Sequence, residues 1–311
     1  MRQRVRAYQF INFKALYEQI FAESERVGPW LEGAPPEEWP AICQGTIAAL
    51  AEDKLMYEDA TPFLLLKELI LGFQINSSIK HIVVDEAQDY SPFQFEFMKR
   101  LFPAARMTVL GDFNQAIFAH ASEAVNFDVL EGLYGPEKTE IINITRSYRS
   151  TRPIIEFTRR LVPNGDKIIP FDRDGEEPVM TEVADFESLH VEITERVEEL
   201  KAQGYHSIAI ICKSSEESGR SYEALSSGIE DLKLLKMNSM EYEQGIVVVP
   251  SYLSKGIEFD AVIIYNASDE VYGDESLRRV FYTACTRAMH YLEVCSVGKG
   301  CGDRFLDPSV R

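Results

Sequence analysis

The spacing of apolar and polar positions changes character near Lys80. Before it, apolar residues recur at helical intervals, at Phe10, Phe13, Leu16, Tyr17 and Ile20 and again at Ile42, Ile47, Leu50 and Leu55. Residues 1–75 therefore read as a helical segment, punctuated by Pro35, Pro36 and Pro40. Beyond Lys80, short β-branched runs alternate with helical patterns, as in βαβ units around a parallel sheet. The runs predict strands at Ile82–Asp85, Met107–Gly111, Glu140–Ile144, Val179–Val183, Ser207–Cys212, Gly245–Val249, Ala261–Tyr265 and Tyr291–Val297. Ser91 before Pro92 marks the N-cap of a helix over Pro92–Leu101; a second helix runs over Phe186–Gln203 to Gly204, and a third over Ser276–Ala288.

The 311 residues have room for two compact domains, and 45% hydrophobic with 26% charged residues is a soluble, globular balance. No run approaches the roughly 18 apolar residues of a membrane span. Leu64–Leu66 with Ile70 and Leu71 is broken by Lys67 and Glu68, and Met1-Arg-Gln-Arg-Val-Arg lacks the apolar stretch of an export signal, so the expected location is cytoplasmic. Cys43, Cys212, Cys285, Cys295 and Cys301 are scattered without a C-x-x-C pair, which argues against a disulfide framework and a zinc site. A net charge of −18 denies the chain as a whole the basic footprint of a protein that grips DNA through phosphates. Arg146, Arg149, Arg152, Arg159 and Arg160 form either a local basic groove or a solvated helix face.

Candidate chemistry begins at Ile82-Val-Val-Asp85-Glu86-Ala-Gln-Asp89, an apolar strand ending in carboxylates. A strand tip fixes Asp85 where it can hold Mg²⁺ through water, and Glu86 can orient and deprotonate an attacking water. The plainer alternative is an acidic loop after a buried strand. The next strand leads into Gly111-Asp112-Phe-Asn-Gln115, whose glutamine is placed to sense a γ-phosphate. Alone that pattern is weak; after the Asp-Glu motif it becomes specific.

With these residues in order, most of Lys80–Val297 resembles the superfamily 1 helicases of the UvrD, Rep and PcrA type. Ile144-Thr-Arg-Ser-Tyr148-Arg149-Ser-Thr is similar to their Asn-Tyr-Arg-Ser motif, which implies that Tyr148 stacks on adenine and Arg149 reaches the γ-phosphate. Ser254-Lys255-Gly256-Ile-Glu258-Phe259 resembles Ala-Lys-Gly-Leu-Glu-Phe, implying that Glu258 contacts the ribose and that the backbone at Gly256 lies near the nucleotide. Phe281-Tyr-Thr-Ala-Cys-Thr286-Arg287-Ala resembles Tyr-Val-Ala-Met-Thr-Arg-Ala, making Arg287 an arginine finger supplied by a second domain. The resemblance implies ATP and Mg²⁺ as ligands and an α/β fold of RecA-like parallel sheets flanked by helices. On that plan residues 1–75 are a helical segment associated with the first RecA-like domain, 76–145 that domain's C-terminal part, and 146–311 the second domain.

Departures from the family pattern carry their own expectations. No G-x-x-x-x-G-K-[ST] occurs, and Gly298-Lys-Gly-Cys-Gly302 follows the last strand with no helix to open. The natural chain is therefore expected to continue upstream of Met1, and this stretch alone to be inactive. Where the unwinding relatives carry a base-stacking Trp-Arg pair, this chain has His120-Ala121, and His120 is either a stacking residue for single-stranded DNA or a surface histidine. Pro250-Ser251-Tyr252-Leu253 replaces the usual Thr and His that touch DNA, leaving Tyr252 as a candidate contact, and the interval from Arg149 to Lys255 is too short for the accessory domain of unwinding enzymes. The wording of Val248–Ile264 looks most like the HelD branch, which implies an ATP-driven factor that binds core RNA polymerase and releases it from nucleic acid. Acidic surface suits such a partner. A 3′-to-5′ DNA helicase or translocase and a non-catalytic interaction module remain the alternatives.

Overall fold

The computed structural model describes residues 10–23, 36–116, 127–237 and 244–301. The chain divides into two compact units, Met1–Gly111 with His120–Thr139, and Asp112–Ala119 with Glu140–Arg311.

In the first unit, helices α1 (Phe13–Ala22), α2 (Trp39–Ala51) and α3 (Tyr57–Leu71) form the segment that the periodicity marks as helical. Tyr17 of α1 is their common centre: its buried ring meets Phe21 and Phe63 edge-on, and its hydroxyl donates to Asp59 at 2.9 Å. Strands β1 (His81–Val84) and β2 (Arg106–Val109) pair in parallel, with Val84 opposite Val109. Helix α4 (Pro92–Leu101) joins them and has the predicted bounds. The Ser91 hydroxyl accepts from the Gln94 amide and the Gln94 side chain accepts from the Ser91 amide, a reciprocal cap with Pro at the first helical position. Helix α5 (Phe127–Tyr134) packs beside α4, and Tyr134 donates to the Phe95 carbonyl at 3.3 Å.

The second unit opens with a two-stranded parallel pair, β3 (Arg146–Ser147) with β4 (Ile169–Pro170), on either side of helix α6 (Arg152–Thr158). Its main sheet has six parallel strands in the order β5-β10-β9-β6-β8-β7. These are β5 (Val179–Val183), β6 (Ile208–Cys212), β7 (Lys233–Leu234), β8 (Ile246–Pro250), β9 (Phe259–Ile264) and β10 (Ala288–Val297). β6 and β8 are buried throughout, as central strands of a parallel sheet covered on both faces must be. Helices α7 (Phe186–Ala202) and α8 (Ser215–Leu225) cover one face through Leu189, Ile193, Val197, Leu200 and Leu225. The other packs Ile154 and Phe157 of α6 with Phe281 and Ala284 of a later helix. The fold is α/β, a parallel sheet flanked by helices.

Three expectations need correction. Glu140–Ile144 is not a strand, and Ile142 and Ile144 are 72% and 82% exposed. β-branched residues make a strand only beside a partner, and among the described residues it is Arg146–Ser147 that finds one, in Ile169–Pro170. The helix expected over Ser276–Ala288 is shorter. After α9 (Ser251–Ser254) and α10 (Asp269–Tyr272), a 3₁₀ turn over Glu275–Leu277, capped by Asp274, leads into α11 (Arg278–Cys285). Ala288 already belongs to β10, which starts earlier than its apolar run because the register shifts between Ala288 and Tyr291.

All five cysteines are buried thiols, and burial pushes Cys212 and Cys301 up to about 12. Among the described residues no helix is long and apolar enough to cross a membrane.

Candidate nucleotide site

In the first unit, β1 delivers Asp85 to an exposed position at its C-terminal end, where Oδ1 accepts the Glu86 amide at 2.9 Å. Glu86 adopts the left-handed conformation, φ 51° and ψ 43°. For a residue with a Cβ this costs on the order of 1 kcal/mol. Two contacts hold the turn: the Ala87 amide donates to the Leu110 carbonyl at 2.9 Å, and the fully buried Gln88 donates to Glu86 Oε2 at 2.5 Å. A Cβ at Gly111 would lie 2.7 Å from Gln88 Oε1, so the glycine of the second motif makes room for the glutamine of the first. Sequence reasoning did not single out Gln88.

A lone exposed carboxylate suits a Mg²⁺ ion that keeps its waters and arrives with phosphates. It does not suit a self-contained metal centre, and among the described residues no group of three or more His, Cys, Asp or Glu side chains could hold a metal.

In the second unit, Gln115 ends a 3₁₀ turn over Phe113–Gln115. Asp112 builds that turn, with Oδ1 accepting the Asn114 amide at 3.0 Å, its carbonyl the Gln115 amide at 2.9 Å and Oδ2 the Gln115 side-chain amide at 2.8 Å. Gln115 Oε1 accepts from Arg287 Nη2 at 2.5 Å. Arg287, 1% exposed, also donates from Nε to the Thr283 carbonyl at 3.0 Å and from Nη2 to Thr286 Oγ1 at 3.1 Å. Burial pushes the neighbouring Tyr282 hydroxyl far up; Asp112 adds to this, and Arg287 and Arg149 oppose it. Tyr282 thus lies within electrostatic reach of both arginines, a role its sequence position does not reveal.

Arg149 pairs through Nε with Glu258 Oε1 at 2.5 Å. The segment around it is laced to the start of β10: Ser150 donates to the Ala288 carbonyl at 2.6 Å and the Thr151 amide to the Met289 carbonyl at 3.0 Å. Tyr148 is 59% exposed and leans on Phe171, ring centroids 5.1 Å apart at 41°. Gly256 has φ +80°, a conformation that favours glycine, with nothing within 4 Å of where a Cβ would sit. Tyr252 lies in α9, partly buried, and His120 lies outside the described residues.

Two other sequence features resolve as structural. Among the described residues of this glycine run, the amides of Gly298, Gly300 and Cys301 donate to the Val183 carbonyl, Glu182 Oε1 and the Ala267 carbonyl at 2.8, 3.1 and 2.8 Å. In the arginine cluster, Arg152 pairs with Asp172 at 3.7 Å, Arg159 with Glu156 at 2.5 Å, and Arg160 lies 5.7 Å from the Phe157 ring centroid. With Arg149 on Glu258, three of the five arginines of the cluster have an acidic neighbour.

The second unit therefore brings together Gln115 with Arg287 and Arg149 with Glu258, and gives Tyr148 an aromatic neighbour, while Asp85 and Glu86 stand in the first. Residues 4–127 match the UvrD/REP helicase N-terminal domain and residues 245–295 the UvrD-like helicase C-terminal domain. Two parts of one helicase core follow in order over more than half of the chain, which belongs to the UvrD-like helicase family.

The chain is 23% identical over 273 residues to a "Probable DNA helicase" of Mycoplasma pneumoniae, over 78% of this chain and 48% of that protein. It is 32% identical over 87 residues to the "ATP-dependent DNA helicase srs2" of Schizosaccharomyces pombe, over 27% and 10% respectively. A "Probable DNA helicase II homolog" of Mycoplasma capricolum is 26% identical over 133 residues, 40% of this chain and 18% of that one. The chain spans less than half the length of these curated relatives. Among solved structures, the C-terminal domain of a possible DNA helicase from Lactobacillus plantarum is 32% identical, over 53% of this chain and 96% of that one, with a TM-score of 0.45.

Proposed function

We propose that this chain forms much of the nucleotide-handling core of an ATP-dependent DNA motor. The observation that carries the reading is Arg287, a buried guanidinium whose Nη2 meets the neutral amide oxygen of Gln115. A neutral amide is a partner that a phosphate oxygen can replace.

On this reading Glu86 orients and deprotonates the attacking water, and Arg287 and Arg149 stabilise charge on the transferring phosphoryl group. Tyr148, backed by Phe171, offers a face to adenine, and Glu258 accepts from the ribose. Asp85 would hold Mg²⁺, whose part when bound is to neutralise phosphate charge. Residues 1–311 contain no phosphate-binding loop, so this stretch by itself is expected to bind ATP weakly and hydrolyse it negligibly.

A second reading is a HelD-like factor that remodels RNA polymerase. The net charge of −18, the short interval between Arg149 and Lys255 and the wording of Val248–Ile264 favour it. Steady-state ATP hydrolysis by the full-length protein separates the two. Strong stimulation by single-stranded DNA supports the DNA motor; indifference to DNA with tight binding to core polymerase supports the remodeller. No hydrolysis under any condition would leave a non-catalytic interaction module.

A further inference from the structure

We propose that Asp112 and Thr286 are positioning residues that hold Gln115 and Arg287 together as one oriented pair, so that in the absence of nucleotide the arginine is docked on the glutamine and a phosphate must take over that contact. The inference rests on the reading of Gln115 and Arg287 as phosphate-facing groups.

The argument is one of donors and acceptors. An ionised carboxylate only accepts and a guanidinium only donates. Gln115 lies between one of each, with Nε2 on Asp112 Oδ2 at 2.8 Å and Oε1 on Arg287 Nη2 at 2.5 Å. Flipping the amide would set oxygen against carboxylate and N–H against guanidinium, two repulsive contacts in place of two charge-assisted bonds. Asp112 thereby dictates which atom of Gln115 meets Arg287. It cannot readily swing away, since its Oδ1 also takes the Asn114 amide at 3.0 Å and its carbonyl the Gln115 amide at 2.9 Å.

Thr286 acts from the other side. Its hydroxyl donates to the Thr283 carbonyl at 2.9 Å, which turns an oxygen lone pair toward Arg287 Nη2 at 3.1 Å. The same Thr283 carbonyl accepts Arg287 Nε at 3.0 Å. Of these partners, Thr283 contributes backbone and Thr286 is fixed by the turn that ends α11, whereas Gln115 can leave by rotating its side chain. The exchangeable partner is therefore the glutamine. Every group named lies in the second unit.

Two measurements test this. In the 311-residue chain without nucleotide, the Arg287 Nη–H resonances, identified by their absence in Arg287→Lys, should be resolved and exchange slowly with water. Asp112→Asn and Thr286→Val should each abolish that slow exchange, Thr286→Ser should retain it, and the exposed Asp172→Asn should leave it unchanged. In the full-length protein, Asp112→Asn and Thr286→Val should lower kcat by about 10- to 100-fold with KM little altered, as expected for residues that orient a reacting group from behind. Thr286→Ser should recover most of the loss. Unchanged Arg287 exchange in both variants would overturn the network whatever the ATPase shows. Faster exchange with undiminished kcat would overturn the role in turnover. If Arg287→Ala itself hydrolyses ATP normally while the exchange results stand, the fault lies in the nucleotide assignment and not in the pair.

Discussion

The guanidinium of Arg149 and the carboxylate of Glu258 are each other's partner, Nε to Oε1 at 2.5 Å, with 39% and 42% of their side chains exposed. Both are proposed to serve one nucleotide, yet without it they neutralise each other. A pair this exposed contributes roughly 0–1 kcal/mol, so a nucleotide can part it cheaply. Glu258→Ala should leave the unfolding free energy within about 1 kcal/mol of wild type and raise KM for ATP in the full-length protein. Denaturant melts and steady-state kinetics check both halves.

Glu86→Gln keeps the shape of the side chain and removes its basicity. Turnover by the full-length protein should fall by about 10²- to 10⁴-fold, while a fluorescent nucleotide analogue still binds. Undiminished hydrolysis would remove Glu86 from the mechanism.

Arg287→Ala should reduce kcat by about 10³-fold or more, the scale of an arginine that acts on the transition state, with a far smaller change in nucleotide affinity. Equal losses in both would instead mark Arg287 as a ground-state binding residue.

An ion pair with one buried partner makes a prediction about stability alone. Glu293, whose side chain is fully buried, meets Arg196 Nε at 2.8 Å and accepts from the hydroxyls of Thr181 and Tyr291 at 2.6 and 2.9 Å. Arg196→Leu leaves that carboxylate with its two hydroxyls alone and should cost about 2–4 kcal/mol. Glu293→Gln keeps both hydroxyls served and should cost less. Urea unfolding curves giving the reverse order would mean the hydroxyls alone sustain the buried charge.

Glu217 supplies a pH dependence. Burial raises its pKa, opposed by the Lys213 amide at 2.7 Å and by the charges of Arg220 and Lys213. The folded state thus prefers the protonated form, so this group's contribution is fully present below the ordinary glutamate pKa and declines as pH rises through the raised value. Glu217→Gln should match wild type near pH 4 and grow more stable than it as pH rises above the ordinary glutamate range. A stability difference flat in pH across unfolding curves would refute the assignment.

What could be read in advance was local. Val179–Val183 and Pro92–Leu101 have the bounds their patterns predict because alternation, Ser91, Pro92 and Gln94 act within a few residues. Glu140–Ile144 misled because a strand needs a partner, and the choice of Ile169–Pro170 as partner for Arg146–Ser147 is not encoded within either segment. The motifs named Asp85, Glu86, Gln115, Tyr148, Arg149, Gly256, Glu258 and Arg287, but only as a series along the chain. That Gln115 meets Arg287, that Gly111 leaves space for Gln88, and that Phe171 backs Tyr148 are facts of tertiary packing.

The left-handed backbone at Glu86 has a consequence for how such a protein evolves. Glycine or asparagine would occupy φ 51° with less strain than glutamate does. A population selected for heat resistance or soluble yield, with no demand on turnover, would be expected to lose that carboxylate early and to gain robustness as it did so.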